Sequence, residues 1–467
     1  MSQPYQHTAL RVGVTALVAG VLMSCGSAPR TNNQPTRVIN ANNPNPSVVI
    51  IHNQAGMPVQ PVSTTINTTT SYHTPIAMPS MTATPTTPMQ ASTVPTHQYS
   101  SFNEWKNDFI RRAIASGYSS DSVNRLMNGV SLNSQVVALD KKQAEFSKMP
   151  WEYIEGAAST NRITQGRKQV SEYPSLLSRL EQQYGVPKQI VVAIWGLESS
   201  YGAGTGSMNL VDALSSLAYD GRRRAFAEGE LLAMTQMIQR DDVARSELKG
   251  SWAGGMGHTQ FIPSTWLQYG VDGNNDGRKN PWMVSDALSS TANYLANSGW
   301  VRGLEAYYEV RLPSNLNPQL IGQRLPLDTW RAYGVSPVGS EYMAGQALAE
   351  LWLPAGINGP ALLTTQNFEV IKVYNNSTNY ALGVALLGKR INHQDGIVAG
   401  WPRQEKPLST EQIKRLQQNL NQKGYNTGTP DGIAGANTRR AFARWQADNG
   451  RLPDGFITQN SARTLIQ

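Results

Sequence analysis

One cysteine, Cys25, in 467 residues leaves no internal disulfide framework and no cysteine-based zinc or iron–sulfur site. Histidine is almost as scarce. Of six, four (His7, His52, His73, His97) fall in the first hundred residues, so only His258 and His393 serve the folded body. That argues against multi-histidine metal hydrolases and leaves few candidates for a Ser-His-Asp triad. Charged residues are 15% of the chain, against about 25% in typical soluble domains. Long apolar runs are missing too. The longest, Val12 to Met23, has twelve residues, whereas a bilayer-spanning helix needs ~20, so the chain does not read as a polytopic membrane protein. The net charge is +8, yet there is no long basic block; Arg222-Arg223-Arg224 is the densest cluster. No nucleic-acid partner is therefore expected, and an anionic polymer or a membrane surface suits the charge equally.

What is present divides the chain into segments. Length alone suggests about three domains, and 40% hydrophobic residues suffice for a sizeable core. Arg11 and the free amino group precede the apolar run, and Leu22-Met23-Ser24-Cys25 follows it. Residues 1–24 therefore read as an export signal. The last four resemble the bacterial lipobox. By that resemblance, cleavage leaves Cys25 first and lipidated. Gly26 stands where an aspartate would mark retention at the inner membrane, which implies the outer membrane. An ordinary signal peptide with a chance cysteine is the alternative. Residues 25–100 are rich in Asn, Pro, Thr and Ser, as in Thr82-Ala83-Thr84-Pro85-Thr86-Thr87-Pro88. Such composition buries too little apolar area to offset chain entropy, so a disordered linker is expected, with a reach of roughly 50 Å.

Order is expected from Phe102, and residues 101–401 read mostly as helices joined by Gly/Asn loops. Gly185 ends one helix and Pro187 opens the next. On that second helix Val191, Ile194 and Trp195 share a face with Glu198 at i+7, i+4 and i+3. A carboxylate is thereby placed on an apolar stripe near a helix C-terminus. Desolvation and the helix dipole both disfavour the anion, so a raised pKa and proton donation near neutrality are expected. A buried structural glutamate paired with an arginine or a backbone amide is the other reading. The stretch Gly202-Ala203-Gly204-Thr205-Gly206 follows a helix and lacks a closing Gly-Lys-Ser/Thr, so it is not a nucleotide loop.

Glu198-Ser199-Ser200-Tyr201-Gly202 resembles the catalytic motif of the membrane-bound B type of lytic murein transglycosylase. Further blocks agree, in the family's order: Trp151-Glu152-Tyr153 with Asn161-Arg162-Ile163, Arg223-Arg224-Ala225-Phe226, Gly250 to Ser264, Ala292-Asn293-Tyr294-Leu295, and Tyr374 to Tyr380. The resemblance implies a lysozyme-like helical domain that cuts the β-1,4 bond between N-acetylmuramic acid and N-acetylglucosamine without adding water. Glu198 would protonate the leaving oxygen and then take the proton of the muramic C6 hydroxyl, leaving a 1,6-anhydro end. Hydrolases of the usual type need a second carboxyl group, and downstream of Glu198 the first acid is Asp212.

By the same resemblance Ser251 and Gln260 line the site. Tyr153, Tyr294 and Tyr374 would stack on sugars, Asn375 would bond an N-acetyl group, and Arg223 and Arg224 would meet substrate carboxylates. Each has a plainer reading, as core aromatics or a solvated basic face. His258 has no evident partner and reads as structural.

Asp272, Asn274 and Asp276 stand at positions 1, 3 and 5 of an EF-hand-like loop, with Gly277 at 6 and the Arg278 carbonyl at 7. Met283 replaces the glutamate of position 12, and Asp286 is the later acid that would close the site. No cofactor is required by this reading; a weakly held structural calcium is the candidate, with a capped Asx-turn loop as the alternative.

After a polar linker at 402–407, residues 408–467 resemble a three-helix peptidoglycan-binding domain, carrying Asp431-Gly432-x-x-Gly435-x-x-Thr438. The fold expected is thus mostly α: a lysozyme-like transglycosylase domain and a small three-helix module, preceded by a signal peptide and a disordered linker. The partners implied are peptidoglycan glycan strands, the outer membrane through the lipid anchor and, as candidates, peptidoglycan synthases. The periplasmic face of the outer membrane is the expected location. Competing readings are a hydrolytic muramidase on the same scaffold and a wall-binding scaffold without activity.

Overall fold

Trp105, Phe109 and Ala113, four residues apart, bury one stripe of α1 (Phe102–Ala115), whose N-terminus is capped by the Ser101 hydroxyl accepting from Glu104 N at 3.1 Å. The computed structural model describes residues 99–141 and 149–467. The export signal, Cys25 and nearly all of the linker lie outside the described residues. α2 (Ser120–Met127) and α3 (Ser134–Lys141) complete the first layer. A second group contains α4 (Pro150–Ala157), α5 (Thr160–Glu172), α6 (Pro174–Tyr184) and α7 (Lys188–Ser199). Gly185, at φ 71, ends α6, and Pro187 caps α7, as their positions in the sequence suggested.

A two-residue ribbon of β1 (Met208–Asn209) and β2 (Lys249–Gly250) brackets α8 (Leu210–Asp220) and α9 (Arg224–Gln239). α10 (Pro263–Tyr269) and α11 (Val284–Asn297) follow. Then comes an antiparallel sheet that the helix-and-loop reading of residues 101–401 did not anticipate. It contains β3 (Tyr307–Arg311), β4 (Arg324–Pro326), β5 (Ser336–Pro337), β6 (Leu348–Trp352) and β7 (Ala361–Thr365), in the order β4-β6-β7-β3-β5, with α12 (Leu327–Ala332) between β4 and β5. Its strands have at most five residues. β7 is buried throughout, so neither its length nor any polar alternation marked it as strand. α13 (Gln366–Tyr374) and α14 (Thr378–Ile391) return the chain to α7. The fold remains mostly helical.

α7 is the centre of the first core. Ile190 to Gly196 are all buried, so the helix is enclosed on every side. Leu177, Leu180, Leu382, Leu387 and Phe368 close around it, each fully buried apolar side chain contributing about 1.5–3 kcal/mol. α14 reaches α4 closely at Gly383, where a methyl group would stand 2.8 Å from Ala157 Cβ. A second core joins α1 and α2 to α8 and α9 through Trp105, Leu214 and Met234, and a third covers the sheet around Trp330.

The C-terminal module has its own core, with Leu416, Leu420, Phe442 and Leu465 drawn from α15 (Thr410–Gln422), α16 (Ala436–Asp448) and α17 (Arg463–Ile466). It does not stand off from the rest. Phe456 packs with Met149, Trp151 and Ala355, and Trp401 lies against the same cluster. Arg403, in the short linker, pairs with Glu155.

Candidate active site

Glu198 occupies the last turn of α7. Burial pushes its carboxyl up to about 7, and the Tyr380 hydroxyl, donating to Oε1 at 2.6 Å, partly opposes that rise. Glu198 is therefore the near-neutral acid that its place on an apolar stripe predicted. No arginine pairs with it among the described residues, contrary to the structural-glutamate reading. Burial and the Tyr380 hydroxyl, rather than a neighbouring carboxylate, set the direction of its shift.

Three tyrosines surround this acid. Tyr380 comes from the first turn of α14, Tyr153 from α4 and Tyr374 from the end of α13. Burial, and then the Glu198 charge, push the Tyr153 hydroxyl up to about 12 and hold those of Tyr374 and Tyr380 well above the ordinary phenol value. All three stay neutral at any physiological pH. Tyr374 also donates to Thr259 O, tying α13 to the Gly250–Ser264 loop. Sequence reasoning assigned Tyr153 and Tyr374 to this site but gave Tyr380 no role. Its only signal was its place at the end of the Tyr374–Tyr380 block.

The end of α7 is held in an unusual shape. Ser200, Tyr201 and Gly202 have φ of 51, 62 and 87 in succession. For the two non-glycine residues this costs about 1–2 kcal/mol each. The Tyr201 hydroxyl donates to Arg162 O at 2.6 Å, and Ser199 Oγ donates to His258 O at 2.5 Å. Arg162 in turn donates to Gly196 O at 3.2 Å and to Ala157 O at 3.0 Å, binding the ends of α4 and α7 together. His258 gains the partner its sequence position did not disclose. Trp195 Nε1 donates to His258 Nδ1 at 3.1 Å, and burial keeps the imidazole neutral by pushing its pKa down. A methyl group on Gly202 would lie 2.5 Å from that ring, so both the backbone angle and the space require glycine there.

Ser251 and Gln260 come together across Gly255. A methyl group on Gly255 would stand 2.7 Å from Gln260 Oε1 and 2.9 Å from Ser251 Oγ. Gln260, at φ 53, donates from Nε2 to Thr205 O (3.1 Å) and Gly257 O (2.8 Å). Ser251 Oγ accepts from Gly255 N at 2.9 Å. Asn375 is buried at the end of α13, with its carbonyl accepting from Ser377 N at 2.6 Å.

Three expected substrate contacts have other neighbours in the structure. Tyr294 is 8% exposed, its ring enclosed by Phe261, Tyr269 and Tyr374, and its hydroxyl donates to Val373 O at 3.3 Å. It is a core aromatic with no open face for a sugar. Arg224 donates to Ala218 O at 3.0 Å and to Tyr219 O at 3.5 Å, satisfying carbonyls at the end of α8. Arg223 lies 3.5 Å from Asp140 and 4.4 Å over the Phe226 ring. The end of α8 thus occupies Arg224, whereas Arg223 makes only a loose approach to Asp140, whose close partner is Arg222.

In the acidic loop, Asp272 Oδ2 accepts from Gly277 N at 2.8 Å, and Asn274 Oδ1 and Asp272 Oδ1 both accept from Asp276 N at 3.2 Å. Asp286 is wholly buried. Its oxygens accept from Gly273 N, Asn280 N and Ser285 Oγ at 2.9–3.1 Å, so it anchors the loop to α11. Arg278 donates through its side chain to Asp241 O at 2.8 Å. Among the described residues no three His, Cys, Asp or Glu side chains gather as a metal-holding group. The hard oxygens of Asp272, Asn274 and Asp276 with the Arg278 carbonyl remain chemically suited to calcium.

Comparison with known proteins agrees with this geometry. Residues 101–389 match the transglycosylase SLT domain model, and residues 409–465 match a peptidoglycan binding domain model. Membrane-bound lytic murein transglycosylase B of Escherichia coli (strain K12) is 31% identical over 275 residues, 58% of this chain and 74% of that protein. SltB3 of Pseudomonas aeruginosa, solved in complex with NAG-NAM-pentapeptide and with NAG-anhNAM-pentapeptide, is 41% identical. Those matches cover 79% of this chain and 100% of that one, with TM-scores of 0.74 and 0.75. The Escherichia coli lytic transglycosylase Slt35, solved in complex with calcium, is 29% identical over 62% of this chain and 92% of its own, with a TM-score of 0.54.

Proposed function

The chain belongs to the transglycosylase SLT domain family, as a peptidoglycan lytic transglycosylase, and from that premise we propose that Glu198 is the single acid and base of its reaction. The carrying observation is the position of this carboxyl: half-buried at the end of α7, raised to about 7 by desolvation and held by Tyr380. In its protonated form Glu198 gives its hydrogen to the glycosidic oxygen between N-acetylmuramic acid and N-acetylglucosamine as the bond from C1 to that oxygen breaks. The resulting carboxylate takes the proton of the muramic C6 hydroxyl as O6 bonds to C1. The proton count closes and no water is consumed. A 1,6-anhydro end results, and a sugar of that type is bound in one of the SltB3 complexes. Tyr153 and Tyr374 wall the acid from solvent, while Ser251 and Gln260, both half-buried, are the polar groups offered to the substrate.

The test is mass analysis of soluble products from purified sacculi. Wild type should release fragments with anhydro ends, each lighter by one water than a hydrolysis product. Glu198→Gln, which keeps shape but cannot donate, should release none. Reducing ends would select a muramidase instead.

Attachment to the periplasmic face of the outer membrane through lipidated Cys25 is part of the same reading. It is supported by the lipobox-like residues before Cys25 and by a relative described as membrane-bound. No helix among the described residues is long and apolar enough to cross a membrane. Such an anchor would hold the enzyme near peptidoglycan synthases, its candidate partners. Cys25→Ala should move the protein from the membrane to the soluble fraction. Calcium bound by Asp272, Asn274, Asp276 and the Arg278 carbonyl, with Asp286 as the later acid closing the site, would stabilise the loop before α11 and take no part in the chemistry.

A further inference from the structure

The C-terminal module carries one hydrogen-bonding motif twice. In the first copy, Gln417 Nε2 donates to Asp431 Oδ1 at 2.8 Å, Gly432 N donates to Gln417 Oε1 at 2.9 Å, and Ile433 N donates to Asp431 Oδ1 at 2.8 Å. In the second, Gln446 Nε2 donates to Asp454 Oδ1 at 2.8 Å, Gly455 N donates to Gln446 Oε1 at 2.8 Å, and Phe456 N donates to Asp454 Oδ1 at 3.0 Å. Ile433 and Phe456 thus stand at equivalent corners, but their surroundings differ. Ile433 is 61% exposed and Phe456 only 9%. Phe456 is absent from the module's own core of Leu416, Phe442 and Leu465. It is buried instead by Met149, Trp151 and Ala355 of the catalytic domain, with the Trp151 ring 6.5 Å away.

The helix it meets is α4, which has two working faces. Trp151 and Glu155, one turn apart, face the module and its linker: Trp151 touches Phe456 and lies 6.1 Å from the Trp401 ring, and Glu155 pairs with Arg403. Tyr153 and Ala157, also one turn apart, face α14 at Gly383, and Tyr153 senses the Glu198 charge. α4 has only eight residues, and helices shorter than ~12–15 residues are marginal on their own. Its position is therefore set by what packs on either face.

We infer that docking of the module through Phe456 holds α4, and with it Tyr153, against Glu198, which makes Phe456 a positioning residue for the acid. The inference rests on the reading of Glu198 given above. Among the described residues, the titratable groups coupled to Glu198 are the hydroxyls of Tyr153 on α4, Tyr374 on α13 and Tyr380 on α14. Only the first moves with α4. When it withdraws, water enters beside Glu198, the anion costs less, and the carboxyl ionises at lower pH. The module then acts on the chemical step as well as on binding to the wall.

The experiment uses the full chain and a short soluble substrate, a tetrasaccharide of alternating N-acetylglucosamine and N-acetylmuramic acid, on which avidity through the module contributes little. Phe456→Ser should lower kcat about tenfold with KM changed less than about twofold. The alkaline limb of its pH profile should move down by about half a unit or more. Phe456→Leu, which keeps an apolar contact, should restore both. A Phe456→Ser enzyme with wild-type kcat and limb on the tetrasaccharide overturns the inference, even where activity on sacculi falls. Should Phe456→Ser fail to fold, Ala355→Gln wedges the same interface from the sheet side and must reproduce the change; wild-type kcat and limb in that variant overturn the inference equally. Glu198→Gln is measured alongside. If it stays active, the acid assignment has failed; if it is dead while Phe456→Ser is unaffected, only the positioning role has failed.

Discussion

Tyr380 and Glu198 are 182 positions apart in the chain, yet the tyrosine hydroxyl lies 2.6 Å from the carboxyl oxygen. The contact has two opposing effects. It fixes the carboxyl in one orientation, and it stabilises the anion that burial disfavours. Removing it therefore moves rate and pH dependence in different ways.

Tyr380→Phe should lower kcat by roughly tenfold, because the acid loses its orienting partner. The lost hydrogen bond favoured the charged form, so the Glu198 pKa should rise above about 7. The active species is the protonated acid, so the alkaline limb of the pH–rate profile should move to higher pH. A profile displaced toward acid would contradict the assigned direction.

Glu198→Gln should be more stable than wild type at neutral pH. The folded carboxyl titrates near 7 against an ordinary value of 4.5. Between those values the folded state holds a proton that the unfolded chain has released, so wild-type stability falls as pH rises. The advantage of the amide should be near zero below pH 4.5, grow to pH 7 and then level off, reaching about 1–3 kcal/mol. Denaturant melts of the two proteins across this range give the difference directly.

Gly202→Ala should cost about 2–4 kcal/mol and abolish most activity. The new methyl group meets a φ of +87 and an imidazole ring at 2.5 Å. Relief requires His258 or the end of α7 to move, and Glu198 sits on that end. Thermal unfolding and turnover on sacculi should fall together; an active, fully stable variant would mean that the turn after α7 is not rigid.

Calcium should raise the melting temperature of wild type, and chelator should reverse the rise. Asp272→Asn removes a charged ligand and should weaken the response, since affinity depends on ligand charge. Turnover of metal-free enzyme below its melting temperature should equal that of the calcium form. Equal melting curves with and without the ion would leave the loop as Asx turns alone.

The Glu198 helix was legible because its signals are local. Gly185 and Pro187 bound it, and Val191, Ile194 and Trp195 place the carboxyl on their own stripe through helical periodicity. Tyr380 was not legible, since its role depends on α14 lying across α7. Arg224 and Tyr294 show the opposite failure. Each sits in a block that resembles a known site, but sequence carries no account of a helix end in need of donors or of a ring enclosed by three others. The sheet of residues 307–365 escaped for a related reason: strands of two to five residues leave little periodicity to read, and a wholly buried one leaves none.

By itself the sequence determined that Glu198 would be an acid on an apolar stripe at the end of a helix, that few histidines and one cysteine leave little other chemistry, and that a small peptidoglycan-binding module follows. The first two are consequences of composition and of residues within two helical turns of each other, and the module is what the resemblance of residues 408–467 implies. Only the tertiary structure decided which hydroxyls enclose the acid, which arginines are consumed as caps, and that Phe456 turns inward while its counterpart Ile433 faces solvent. Those outcomes depend on which surfaces meet when α4, α7, α13, α14 and the module pack, and desolvation acts on a group only once its neighbours have arrived.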